Sequence, residues 1–401
     1  MRIENLRQEK AGDRTQITAT VLWEDCDRPT QEIFFATDEK FADSIWCNPH
    51  AFLVGSIIPA MYNGERRIKI DQEICPELVE GLLDAMGWLR HWFYEPAREL
   101  VKIEAKRRSS LPIGRTPERT GSFFSGGVDS IGTVCANRRD YPLDHPGSIK
   151  DGLLIYGNNI EFDPRIETFK QAVHSLSEVA KDAKMQLIPV YTNVRSLDES
   201  VDFFSKQFHG AILASVAHAL SRRLSRVLIA SSNSIEDLEP YGSHPLIDPN
   251  YSSYETRIIY DDVLSTRLAK TKLVSEWDVA LQNIKVCGPN YPGENCGQCE
   301  KCIRTMLALM AVGKLDETKA FPHQVTAEMI SRRVKIGDNP RVLMYSEMIP
   351  ALTAKGRHDL VRVINRKIRE FHYGESPSRR WRRAMRAFDQ RYLNGSLTKA
   401  K

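Results

Sequence analysis

Two short stretches of the chain carry residue types at spacings that chemistry can use. The first is Ser125-Gly126-Gly127-Val128-Asp129-Ser130. Two glycines let a backbone approach a phosphate closely. The N–H groups that follow, at the start of a helix, bind an anion with the helix dipole behind them. Ser125 and Ser130 can add hydroxyl donors, and Asp129, which bare phosphate would repel, implies a bridging Mg²⁺. With residue usage near about 5–7%, the five specified positions arise by chance on the order of once in a few thousand such chains. Spacing excludes two other glycine motifs. There is no Gly-x-x-x-x-Gly-Lys-Ser/Thr, and no glycine two residues before Ser125 to form a nucleophile elbow.

The second stretch holds Cys287, Cys296, Cys299 and Cys302, four of the eight cysteines, with Gly288, Pro289, Pro292, Gly293 and Gly297 supplying turns. Closely spaced thiolates of this kind form tetrahedral Cys₄ zinc sites. An iron–sulfur cluster and unligated or redox thiols are the alternatives. Cys26, Cys47, Cys75 and Cys135 are scattered and read as small packing residues.

Elements must position these stretches. Residues 122–124 form a short apolar strand running into the glycines, and 128–138 a helix. Strands at 152–156, 185–191 and 226–230 alternate with helices at about 164–183 and 209–221. That alternation predicts an α/β fold with a parallel sheet wrapped by helices, and ligands then bind beyond the carboxyl ends of the strands. Before it, strand-like runs at 16–23, 32–37 and 67–71 and a helix starting near Pro76 predict a small α+β domain. The expected division is an N-terminal domain at 1–101, a polar linker at 102–120, the α/β domain with the cysteine cluster at 121–315, and a helical basic region at 316–401.

The 401 residues are 42% apolar and 27% charged, which excludes disorder, collagen and coiled coil. No apolar run approaches the roughly 20 residues that span a bilayer, and the first residues lack a signal-peptide core, so no membrane and a cytoplasmic location are expected. The net charge of +4 conceals an asymmetry. Residues 331–401 hold 18 Lys/Arg against 6 Asp/Glu, a net of +12, leaving −8 for the first 330. Aromatics interleave with this basic region (Phe371, Tyr373, Trp381, Phe388, Tyr392), which suits RNA, against a plainly solvated tail.

Ser-Gly-Gly-x-Asp-Ser resembles the pyrophosphate loop of the ATP pyrophosphatases, the adenine nucleotide α-hydrolase-like (HUP) superfamily. These enzymes cleave ATP between the α and β phosphates, adenylate an acceptor, and let a nitrogen or sulfur nucleophile displace AMP. The resemblance implies that Ser125, Gly126, Gly127, Val128, Asp129 and Ser130 hold the pyrophosphate part of ATP with Mg²⁺, Asp129 and Ser130 taking part in catalysis. It also implies that Tyr156, Gly157 and Asn158 lie near the adenosine.

Loop and cysteine cluster together resemble the 7-cyano-7-deazaguanine synthase group, ATP-dependent nitrile-forming ligases with a zinc-binding Cys…Cys-Gly-x-Cys-x-x-Cys near their end. Here that pattern reads Cys296-Gly297-Gln298-Cys299-Glu300-Lys301-Cys302. Leu268–Val274 is similar to the group's Leu-Thr-Lys-Ala-Glu-Ile, making Lys270 a candidate phosphate or intermediate contact, against a solvated lysine on a helix face. Where the group has Tyr-Pro-Asp-Cys, this chain has Tyr241-Gly242-Ser243-His244-Pro245, and His244 becomes a candidate general base. Weaker candidates for the same cleft are Ser231-Ser232-Asn233 with Glu236 and Asp237, and His209.

About 120 residues precede the loop and about 85 follow the cysteine helix, neither of which that group has. The expectation is a synthase-like relative, an AMP-forming ligase using ATP, Mg²⁺ and Zn²⁺. Its partners would be a small-molecule acceptor (deazapurine-like if the likeness extends that far), ammonia or another nucleophile, an RNA or protein on the basic region, and a second copy of the chain. Alternatives are a tRNA-modifying enzyme of the same chemistry, for thiolation or base amidation, and a nucleotide-binding defence or sensing component.

Overall fold

A computed structural model describes residues 1–109, 118–157, 166–287, 295–374 and 385. Asn158, part of the cysteine loop, and most of the arginine-rich tail from 375 onward, Trp381, Phe388 and Tyr392 included, lie outside the described residues.

Ten strands pair into one sheet. They are β1 (Arg2–Ala11), β2 (Arg14–Leu22), β3 (Gln31–Asp38), β4 (Arg67–Ile74), β5 (Lys102–Arg107), β6 (Thr120–Phe123), β7 (Ile149–Tyr156), β8 (Gln186–Thr192), β9 (Arg226–Ala230) and β10 (Arg257–Asp261). Their order is β10-β9-β6-β7-β8-β3-β2-β1-β4-β5. From β10 to β8 every pairing is parallel. β8 then pairs antiparallel with β3, Phe35 opposite Thr192, and β3, β2 and β1 form a meander. The fold is α/β with a mostly parallel sheet.

The expected separate N-terminal domain is corrected here. Its strands extend the same sheet, and the cores divide by sheet face rather than by chain half. Phe35, Leu153, Val227 and Ile229 point to one face. There they meet α1 (Pro49–Tyr62), α2 (Pro76–Phe93) and, after the single turn α5 (Val201–Phe203), α6 (His209–Ala219). Ala36, Leu154 and Leu228, their sequence neighbours, point to the other. That side is covered by α3 (Val128–Asp140), α4 (Ile166–Asp182), α7 (Arg267–Ser275), α8 (Asp278–Asn283) and α9 (Glu300–Val312). The C-terminal helices α10 (Ala327–Arg333), α11 (Asn339–Ser346), α12 (Ile349–Ala354) and α13 (His358–Tyr373) complete it. Alternation along a strand sends neighbours to opposite faces, so each half needs helices from the other to bury its apolar side. The expected linker is likewise corrected at 102–107, which is edge strand β5, charged as exposed edges commonly are. Among the described residues, no helix is long and apolar enough to cross a membrane.

Candidate functional site

Within the parallel half, β6 is central. The chain runs outward through β7 and β8 on one side, then returns to build β9 and β10 on the other. The order therefore reverses between β6 and β9, and open α/β sheets bind ligands in the crevice beyond such a switch point. The glycine loop leaves β6 there.

Gly126 takes φ +79°, which turns the chain off the strand, and Gly127 caps α3. The turn packs tightly. A Cβ on Gly126 would lie 2.8 Å from Leu176 Cδ2, and the Lys285 N–H donates to the Gly126 carbonyl at 2.8 Å. Ser130 Oγ donates to the Gly127 carbonyl at 3.0 Å and lies 3.3 Å from Ser125 Oγ. Asp129 in the first turn of α3 pairs through Oδ2 with Arg267 Nη1. Its Oδ1 is buried and has no partner among the described residues.

Lys270 is not the solvated lysine that was the alternative to a functional role. Its side chain is 3% exposed, and Nζ donates to the Ser231 carbonyl at the end of β9, 2.7 Å away, with Asp262 Oδ2 at 3.8 Å. The lysine stem packs against Gly132 of α3. Beside it, burial raises the Asp261 carboxyl, which accepts from Thr133 Oγ1 at 2.7 Å. Tyr156 ends β7 in a buried aromatic group with Phe169 and Tyr191, ring centroids 5.1 and 6.3 Å away. Gly157 follows it, and a Cβ there would meet nothing within 4 Å.

Next to the switch point is a cavity of about 260 Å³, lined among others by Asn233, His209, His244, Tyr260, Arg304 and Arg341. Ser232 and Asn233 thus reach the cleft, whereas Asp237 turns inward to accept from Ser234 Oγ at 2.7 Å. His244 is buried, its ring edge-on to Trp92 at 4.8 Å. Its Nδ1 accepts the Leu246 N–H at 3.1 Å, and burial lowers its pKa, so the ring is neutral with its proton on Nε2. That tautomer donates. In this structure the lone pair that the expected general-base role would use is engaged by the backbone. The His209 imidazole, held down to about 4 by burial and then by the Lys301 charge, has a buried Nδ1 without a partner among the described residues.

Sequence reasoning missed Arg304, Arg341, Tyr260 and Arg267. The one available signal was Arg304, a lone charge in the apolar run 302–309. It lies two residues past Cys302, and burial lowers its pKa. Its Nε has no partner among the described residues, while its Nη1 reaches Glu300 at 3.4 Å and Met344 Sδ at 3.3 Å.

The four cysteines converge. All four Sγ atoms lie within 4.8 Å of one another, with Cys287–Cys299 at 3.9 Å and Cys296–Cys302 at 3.8 Å. A tetrahedron with metal–sulfur bonds of about 2.3 Å has edges of about 3.8 Å, and a disulfide would need about 2.05 Å. The donor set therefore fits a metal ion. Gly297 makes the knuckle at φ +68°, where a Cβ would strike Pro322 Cγ at 2.6 Å. Burial opposes ionisation of Cys296, but N–H donation from Gln298 and Cys299 brings its thiol down to about 7. Cys302, in the first turn of α9, ties the cluster to the helix that presents Arg304.

Set against known proteins, the chain matches no family model, no curated sequence and no solved structure.

Proposed function

We propose that this protein is an ATP-dependent ligase or amidating enzyme that releases AMP and pyrophosphate. The observation that carries the reading is the Ser125–Ser130 loop at the switch point between β6 and β9, with a buried Asp129 oxygen in the first turn of α3 that has no partner among the described residues. That oxygen fits a hard divalent cation. The N–H groups from Gly127 onward and Ser130 Oγ bind the β and γ phosphates, and Lys270 adds a buried positive charge. An acceptor oxygen in the 260 Å³ cavity attacks the α-phosphorus, the bond to the bridging oxygen breaks, and pyrophosphate leaves with the electron pair. A nucleophile such as ammonia then displaces AMP.

Arg304, Arg341 and the His244 Nε2–H surround the cavity with donors, which suits a small anionic acceptor. Mg²⁺ at Asp129 supplies charge neutralisation for the leaving pyrophosphate. Zinc is the metal the four thiolates suit best, holding α9 and its arginine in place. The test is exchange of labelled pyrophosphate into ATP by the purified full chain, stimulated by the acceptor. ADP as the sole nucleotide product overturns the scheme.

One observation favours a second reading, in which the acceptor is part of an RNA. Arg362, Arg366, Arg369 and the exposed Tyr373 lie within about 60° of one another on α13, at 100° per residue. They lie opposite buried Leu360 and Ile364. RNA binding that weakens steeply with salt, and weakens further in Arg362→Ala/Arg366→Ala, is the expected result. Salt-independent binding, or none, removes this reading.

A further inference from the structure

Asp129 is the carboxylate on which the proposed chemistry turns, and in this structure a cation already holds it. Arg267 Nη1 occupies Oδ2, with the arginine side chain 12% exposed and the aspartate 19%. The remaining oxygen has no partner among the described residues. Arg267 is the first residue of α7, and two features fix that helix start. Thr266 Oγ1 accepts the Ala269 N–H at 3.3 Å, and Glu347, at the end of α11, accepts the Leu268 N–H at 2.9 Å. Burial, rather than the nearby Arg267 charge, dominates Glu347 and raises it. The Arg267 charge is also felt by Arg304 in the acceptor cavity. The guanidinium therefore lies close to both the glycine loop and Arg304 of the cavity, on a side chain whose backbone is tethered.

A carboxylate half-satisfied by a guanidinium is a poor end state when its other oxygen is buried. Oδ2 is charge-compensated, while Oδ1 bears the full cost of lost hydration. A divalent cation satisfies both oxygens but repels a guanidinium a few ångströms away. The two cations are mutually exclusive partners of one anion.

We propose that Arg267 and a divalent metal ion compete for the Asp129 carboxylate. This rests on the ATP reading for its purpose: arrival of metal-bound triphosphate displaces Arg267 from Asp129. The freed guanidinium then turns to the phosphate oxygens, which lie within the same short arc of the loop. Arg267 holds the loop's anion when no substrate is present and becomes a contact to the substrate when it is.

The experiment uses the full chain and Mn²⁺ as the metal probe, with free and bound Mn²⁺ read by electron paramagnetic resonance. Without nucleotide, Arg267→Gln is expected to bind Mn²⁺ about tenfold more tightly than the unmodified chain, the scale of one charge-assisted hydrogen bond. Asp129→Asn added to it cancels the gain. With Mn²⁺ and α,β-methylene ATP, which cannot be cleaved at the α–β position, Arg267→Gln is expected to bind the nucleotide about tenfold more weakly. Arg267→Lys keeps a cation at the helix start and serves if the glutamine variant fails to fold, with smaller changes in the same directions. Unchanged Mn²⁺ affinity in these variants overturns the competition. A gain in Mn²⁺ affinity with no nucleotide binding to any form leaves the competition standing and overturns the ATP reading instead.

Discussion

Gly126→Ala separates the backbone conformation of the glycine loop from its chemistry. Gly126 sits at φ +79°, where an L-residue costs about 1–2 kcal/mol. The new methyl would also lie 2.8 Å from Leu176 Cδ2 and 3.4 Å from Lys285 Cβ. The leucine can swing off its rotamer for about 0.5–1.5 kcal/mol. Together these give about 1.5–3.5 kcal/mol, enough to leave the binding conformation in only about one molecule in 13 to one in 400. Apparent affinity for Mg²⁺·α,β-methylene ATP should fall by that factor, measured by isothermal titration calorimetry on protein whose circular dichroism shows it folded. Gly87→Ala, in α2 on the other face of the sheet, is the control. A Cβ there meets nothing within 4 Å, and the affinity should stay within about threefold. A Gly126→Ala chain that binds as tightly as the unmodified one refutes the reasoning, since the positive-φ turn would then have no part in holding phosphate.

Four thiolates at tetrahedral spacing predict about one zinc per chain, released on unfolding and measurable with a colorimetric chelator; Cys299→Ser should lose it and loosen α9. Asp151 is fully buried between Arg119 and Arg223, so Asp151→Asn strands two guanidiniums and should cost about 3–5 kcal/mol in urea unfolding; an effect below about 1 kcal/mol would count against that clamp. Burial lowers His218 from 6.5 to about 4, a difference of about 3 kcal/mol at 1.36 kcal/mol per pH unit. Because the unfolded chain binds the proton first, this stability is complete above about pH 6.5 and is lost as pH falls toward about 4. Stability measured across that window in His218→Gln should therefore show a shallower acid slope than in the unmodified chain.

Much of the fold was legible because its signals are local. Strands β2, β3, β4, β7, β8 and β9 and helices α2, α3, α4, α6 and α9 lie where apolar patterning puts them. The elements that escaped did so for physical reasons. Twelve of the fourteen residues of α1 are buried, so it is apolar on every side and shows no stripe. β1 has Ile3 as its one fully buried residue and shows no alternation. β10 is a five-residue edge strand. The boundary expected near residue 101 came from a change in composition, but composition does not report that β3 pairs with β8.

The sequence by itself determined the parts whose members lie within a few residues of each other. The phosphate-type turn spans six consecutive positions, and three of the four thiolates lie within a seven-residue knuckle. In each, backbone geometry at one glycine brings the groups together, so spacing alone is informative. Tertiary structure decided everything that joins distant positions. Arg267 reaches Asp129 across 138 residues, and Lys270 reaches Ser231 across 39. It also brought the Leu246 N–H onto His244 Nδ1, and assembled the cavity from β9, β10, α9 and α11. Strand order sets which loops meet at the switch point, and strand order depends on pairing between remote segments.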